Sequence, residues 1–209
     1  MSTLSAAEDH AISQPAKVIQ PAWVRIMHWI NALAVFLMIM SGWQIYNASP
    51  LFGFTFPRSI TLGGWLAGAL LWHFAAMWLL MINGLAYVVM GFASGRFRAK
   101  FLPITPNGVL GDLKAALSFK LAHDDLSTYN YVQRLLYAGI IVVGIVVVLS
   151  GLSIWKPVQL QYLTALFGGY DVARYVHFIC MALIVLFLIV HVALAILVPK
   201  SLRAMIVGR

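Results

Sequence analysis

The chain has 209 residues, of which 62% are hydrophobic and 10% charged, with a formal net charge of +8. Soluble domains carry about 25% charged residues, so this composition, with a mean hydropathy of +0.91, marks an integral membrane protein. The single cysteine, Cys180, excludes an intrachain disulfide, a C-x-x-C-H attachment site and a thiolate-held iron–sulfur cluster.

Residues 1–24, with Glu8 and Asp9, read as a polar cytoplasmic tail. They lack the basic, apolar, small-residue order of a cleaved signal, so the first span is predicted to act as an uncleaved anchor. A helix needs about 20 apolar residues to cross the hydrocarbon core. Four stretches meet that need, at about 25–46, 61–91, 131–155 and 172–198. They are long, continuous and not alternating, and unpaired backbone groups are too costly in lipid, so they are helices and not strands. The expected fold is all-α, a four-helix transmembrane bundle over residues 25–200, with no repeat and no second domain.

Between the first two spans lies a short outer loop with Pro50, Gly53 and Pro57. The second loop, 92–130, holds Pro103 and Pro106 and then "NGVLGDLKAALSFKL". There Leu110, Leu113, Leu117 and Leu121 recur every three or four residues. This predicts a short amphipathic helix on the inner membrane surface, with Asp112, Lys114 and Lys120 facing water. It joins the second and third spans, with partner docking as the alternative role. Residues 201–209 form a second cytoplasmic tail.

Orientation follows from Lys and Arg. Lys17, Arg25, Arg96, Arg98, Lys100, Lys114, Lys120, Arg134, Lys200, Arg203 and Arg209 fall on one side, against Arg58, Lys156 and Arg174 on the other. Both termini are therefore expected on the cytoplasmic side of the membrane. The positive charge is then a topology signal. Nucleic acid is not an expected partner, because the basic residues hug span ends.

His10 and His123 fall outside the spans and are expected to be solvated. His28, His73, His177 and His191 fall within them. Ionisable residues in a span are rare and mark function, though each can simply hydrogen-bond to a neighbouring helix. Geometry favours function. His177 and His191 are fourteen residues apart in "ARYVHFICMALIVLFLIVHV", about four helical turns, so they share a face about 21 Å apart along the axis. Each level then needs one partner. The first span supplies His28 at the inner level for His191, and the second supplies His73 at the outer level for His177. Two imidazoles facing each other across apolar helices can take both axial positions of a haem iron. Zinc wants three or four ligands at one level, and the spans offer no carboxylate except Asp171 at an edge.

Arg25 and Arg174 precede His28 and His177 by three residues, about one turn towards the nearer surface. Both can pair with haem propionates or simply snorkel. Gly42 follows His28 by fourteen residues, where a missing side chain can admit a porphyrin edge or serve generic small-residue packing with Ser41. Trp23, Trp29, Trp43 and Trp155 fit interfacial belts. Tyr46, Tyr162, Tyr170 and Tyr175 on the outer side are belt residues or the lining of a quinone or electron-exit site.

The segment "WVRIMHWINALAVFLMIMSGW" resembles the first-helix pattern W-x-R-x-x-H-W, followed by S-G, of bacterial cytochromes b of the b561 type. That superfamily includes the cytochrome b subunits of nickel–iron hydrogenases and formate dehydrogenases. "RYVHFICMALIVLFLIVHV" is similar to its last helix, in which two histidines fourteen apart serve separate haems. The resemblance runs from about Arg25 to Lys200. It implies two haem b, one held by His28 and His191 on the cytoplasmic side, the other by His73 and His177 on the periplasmic side. The length of the second span leaves the depth of His73 open. "TYNYVQRLLY" and "HVALAILVPKSLRAMIVG" look most like the branch paired with periplasmic molybdopterin oxidoreductases.

The expected function is electron transfer between the quinone pool and a periplasmic redox partner. Bis-histidine ligation leaves no open iron position, which disfavours oxygen binding. A stand-alone superoxide:quinone oxidoreductase is the nearest rival, with Lys156 and Arg174 steering the anion. A haem-free transporter or membrane anchor is the rival of another class.

Overall fold

The computed structural model describes residues 18–118 and 129–208. The expectations for His10, His123, Lys120, Leu121 and most of the N-terminal tail lie outside them. Four helices are long and apolar enough to cross a membrane: α1 (Ala22–Ala48), α2 (Leu66–Ala93), α5 (Tyr131–Trp155) and α7 (Tyr170–Leu197). Their 25 to 28 residues span about 38 to 42 Å, more than the hydrocarbon core of about 30 Å. The described chain is all-helical, as its composition predicts.

Packing is extensive within two pairs, α1 against α2 and α5 against α7, and sparse between the pairs among the described residues. Small residues are prominent among the buried positions: Ala34 and Ser41 in α1, Ala69 and Ala76 in α2, Ser150 and Ser153 in α5, Ala173 and Cys180 in α7. Small residues let backbones approach where lipid, as apolar as leucine, provides no hydrophobic drive between helices. Large apolar side chains such as Leu71, Ile82, Leu186 and Ile189 point outward.

The helix ends differ from the hydropathy pattern for local reasons. Gly63 and Gly64 adopt φ of 107° and 71°, a turn that suits glycine, and Trp65 is extended, so α2 starts only at Leu66. The Leu62 N–H donates to the Met40 carbonyl at 3.0 Å and pins this loop to α1. Pro199 stops α7 and opens α8 (Pro199–Val207) at its first turn, a placement that suits a residue without an N–H. Residues 201–207, expected as part of a tail, are therefore helical. Three more short helices are α3 (Arg96–Phe101), α4 (Pro106–Leu117) and α6 (Gln161–Leu166).

The surface helix predicted after Pro106 is α4, with one correction. Asp112 was expected to face water, but its Oδ2 accepts from the backbone N–H groups of Tyr131 (2.5 Å) and Val132 (3.4 Å). An anion at a helix N-terminus satisfies orphan donors and meets the positive end of the dipole. Asn130 and Gln133 complete a capping box on the same turn, so α5 starts where three side chains hold it.

The two ends of the described chain meet at one end of the bundle. Ile19 N–H donates to the Gly208 carbonyl at 2.8 Å, and Trp29 Nε1 donates to Met205 O at 3.2 Å. We call this the terminal end and its opposite the far end.

Candidate functional site

The four span histidines fall at two matched depths. His28 lies six residues after the start of α1 at Ala22, and His191 six before the end of α7 at Leu197. His73 lies seven residues after Leu66, and His177 seven after Tyr170. Because α2 starts late, His73 sits about two turns inside its helix and reaches the level of His177.

Each level brings two imidazoles together. The His28 and His191 ring centroids are 6.0 Å apart at 60°, and those of His73 and His177 are 6.4 Å apart at 64°. An iron between two imidazole nitrogens, each about 2 Å from it and each ring centre about 1 Å further back, sets the centroids about 6 Å apart. Both pairs have that spacing. In each pair one imidazole comes from the α1–α2 side and the other from α7, so the two face each other between the helix pairs.

The far pair is held from behind. Ser41 Oγ donates to Leu37 O (2.5 Å) and lies 3.0 Å from His73 Nδ1, which also meets the Met38 backbone. Ser150 Oγ donates to Val146 O (2.8 Å) and lies 3.2 Å from His177 Nδ1, which also sits 2.9 Å from Val147 O. A carbonyl only accepts, so His177 Nδ1 carries the proton. Each Ser hydrogen is directed to its own helix, so its lone pairs face the ring. Nε2 of both far histidines is then the unprotonated nitrogen, the form that binds metal.

A glycine stands beside each of those serines. A Cβ on Gly42 would lie 3.4 Å from His73 Cε1, and one on Gly151 would lie 3.0 Å from His177 Cε1. The space beside Gly42 borders the His73 imidazole.

The terminal pair is built otherwise. His28 meets Trp29 edge-on at 5.3 Å, and His191 stacks on Phe187 at 5.5 Å and 11°. Among the described residues, neither ring has a hydrogen bond. Beside His28, the buried Asn83 Nδ2 donates to Met27 O (2.8 Å) and to Asn31 Oδ1 (2.6 Å), tying α2 to α1.

Arg25 and Arg174 hold helix ends. Arg25 Nη1 donates to Ile206 O (2.7 Å) near the end of α8, and Arg174 Nη2 to Ser49 O (2.6 Å), the residue that ends α1. Helix C-termini carry partial negative charge and unpaired carbonyls, which favours cations there. Each guanidinium has five donors, so others are left for a second acceptor. Two buried donors among the described residues have no partner, Arg25 Nε and Trp43 Nε1. A buried unpaired donor costs about 1–3 kcal/mol. One belongs to the residue three before His28, and the other to Trp43, which follows Gly42 in the chain and stacks on Phe56 at 4.7 Å. Both suit a group with acceptor oxygens, as the carboxylates of haem have. Ring spacing, the Nε2 tautomer and these two donors fit haem.

Residues 19–208 match the family model described as prokaryotic cytochrome b561. The chain belongs to the prokaryotic cytochrome b561 family. It is also 52% identical over 197 residues to a putative protein-methionine-sulfoxide reductase subunit YedZ1 of Azospira oryzae, covering 94% of this chain and all of that protein. This cytochrome is therefore a membrane haem b protein of electron transfer, and the haem-free transporter reading falls. Sequence reasoning missed Ser150–Gly151 as a support for His177 and the orphan donor of Trp43. One signal was present: Ser-Gly occurs in the first span as "MSGW" and in the third as "LSGL".

Of the aromatics expected on the outer side, Tyr46 and Tyr175 join Phe52 and Phe178 in one cluster. Tyr162 and Tyr170 are exposed, as belt residues are.

Proposed function

We propose that this chain is a di-haem cytochrome b of a bacterial inner membrane that carries electrons from quinol to a periplasmic oxidoreductase. The observation that supports it best is the two imidazole pairs at matched depths, with centroids 6.0 and 6.4 Å apart. His28 and His191 hold the inner haem, and His73 and His177 the outer one. Bound there, haem supplies reversible one-electron iron chemistry. The chain's own residues fix the ligand tautomer, the spacing between levels and a low-dielectric surround. Spare donors of Arg25 and Arg174, with Trp43 Nε1, bind propionates. The excess of basic residues beside the terminal end sets both termini and loop 94–130 in the cytoplasm.

The relative's name supports that direction of electron flow. A protein-methionine-sulfoxide reductase takes two electrons and two protons per sulfoxide and releases the thioether and water. The chain is then the membrane subunit that feeds a soluble catalytic partner on the periplasmic side, one electron at a time.

Two measurements test this. Purified protein must show b-type Soret and alpha bands with two haems per chain; protein without them defeats the reading. His177→Ala and His73→Ala must remove one haem and His28→Ala and His191→Ala the other, so loss of the same haem in His177→Ala and His28→Ala breaks the pairing. For the partner, quinol-reduced cytochrome is expected to be reoxidised by the co-purified periplasmic subunit with methionine sulfoxide. Rapid reduction by superoxide, with no co-purifying subunit, would favour the stand-alone rival.

A further inference from the structure

The far-level histidines share an architecture that the terminal pair lacks. His73 in α2 is backed by α1, and His177 in α7 is backed by α5. In both cases the backing is a fully buried serine, the backbone of the residue three before it, and a glycine one after. The helices differ but the arrangement repeats: Met38–Ser41–Gly42 behind His73, and Val147–Ser150–Gly151 behind His177.

We propose that Ser41 and Ser150 are positioning residues that set the donor strength of the outer haem's axial ligands. This rests on the reading above, in which His73 and His177 hold that haem. Each serine spends its hydrogen on a carbonyl of its own helix, at 2.5 Å for Leu37 and 2.8 Å for Val146. Its oxygen then accepts from the imidazole Nδ1–H. Donation at Nδ1 gives the ring partial imidazolate character and raises the basicity of Nε2. A stronger axial donor favours ferric over ferrous iron, so these contacts lower the outer haem's reduction potential. The glycines complete the device: with Cβ positions 3.4 and 3.0 Å from the rings, they let each imidazole sit deep enough to reach its serine. The terminal pair has aromatic neighbours in place of oxygens and is not tuned this way.

The test is a potentiometric titration of the full-length, haem-loaded cytochrome, followed by optical and electron paramagnetic resonance spectra. The outer haem is identified as the one lost in His177→Ala. Ser41→Ala and Ser150→Ala are each expected to shift the ferric/ferrous equilibrium of that same haem towards ferrous by about three- to tenfold, a tenfold change being about 59 mV for one electron. The low-spin signal of that haem moves with it, and the inner haem's midpoint stays. Ser→Cys at either site keeps the shape but offers only a weak acceptor, so its midpoint should also rise. An outer midpoint unmoved in the alanine variants, or moved in alanine but not cysteine, overturns the proposal. So does a shift confined to the inner haem. Should the alanine and cysteine variants lose the outer haem alone, the serines still position its ligands; loss of both haems counts against it. If His73→Ala and His177→Ala remove different haems, the ligand assignment is what fails.

Discussion

The two ends of this cytochrome hold equivalent histidine pairs by unlike means. At the far end, each imidazole is seated in a polar notch of the helix behind it, with a serine oxygen and a carbonyl on Nδ1 and a glycine under the ring. At the terminal end, the rings rest on Trp29 and Phe187, and the polar contacts lie one layer out, in the Asn31–Asn83 tie and in Arg25 and Trp29 gripping α8. The far pair is positioned through its own ring nitrogens, the terminal pair through the helices that carry it. A hydrogen bond to a ligand acts on that ligand's electronics; a bond between helices acts only on its placement.

The largest effect expected from breaking this arrangement is loss of a ligand. Haem content, measured on purified protein, should fall by about half in His191→Ala and in His177→Ala, and the two spectra should sum to the unsubstituted one.

Next comes the far-end notch. In Gly151→Ala the new methyl must displace the His177 ring from 3.0 Å, while in Gly42→Ala it has 3.4 Å. Overpacking of this kind costs about 1–3 kcal/mol. Thermal unfolding in detergent should rank Gly151→Ala below Gly42→Ala, and only the outer haem's spectrum should change. Equal stability of the two variants would contradict the notch geometry.

At the terminal end, Asn83→Leu removes the donor to Met27 O and Asn31 Oδ1. Interhelical hydrogen bonds in membranes average about 0.6 kcal/mol, with 1–2 at the high end. A lower unfolding temperature is expected, with the far-end spectrum intact; a far-end change would show that the two ends are not independent.

The smallest effect belongs to the helix-end arginines. Arg174→Ala gives up an interaction of about 0.3–1 kcal/mol with the end of α1. Arg25→Ala loosens α8, which limited proteolysis after Pro199 should detect before any melting curve does.

Much of this was legible in the chain. Four spans, an all-helical fold and a shared face for His177 and His191 follow from local rules: apolar length against bilayer thickness, and 3.6 residues per turn. The start of α2 was less so, because a run of apolar residues does not reveal that Gly63 and Gly64 turn before the helix forms. Asp112 was misread because its partner, the first turn of α5, lies 19 residues on. The α8 helix had its Pro199 signal, but its anchor is Arg25, 181 residues from Ile206.

Sequence by itself determined that four helices are long and apolar enough to cross a membrane and that His177 and His191 share one face, since both are properties of single helices read one at a time. Only the tertiary structure decided what lies behind each ring. Ser41 serves a histidine of α2, and Ser150 serves one of α7. Which helix packs on which depends on small residues meeting across an interface, and no periodicity within one span encodes its neighbour.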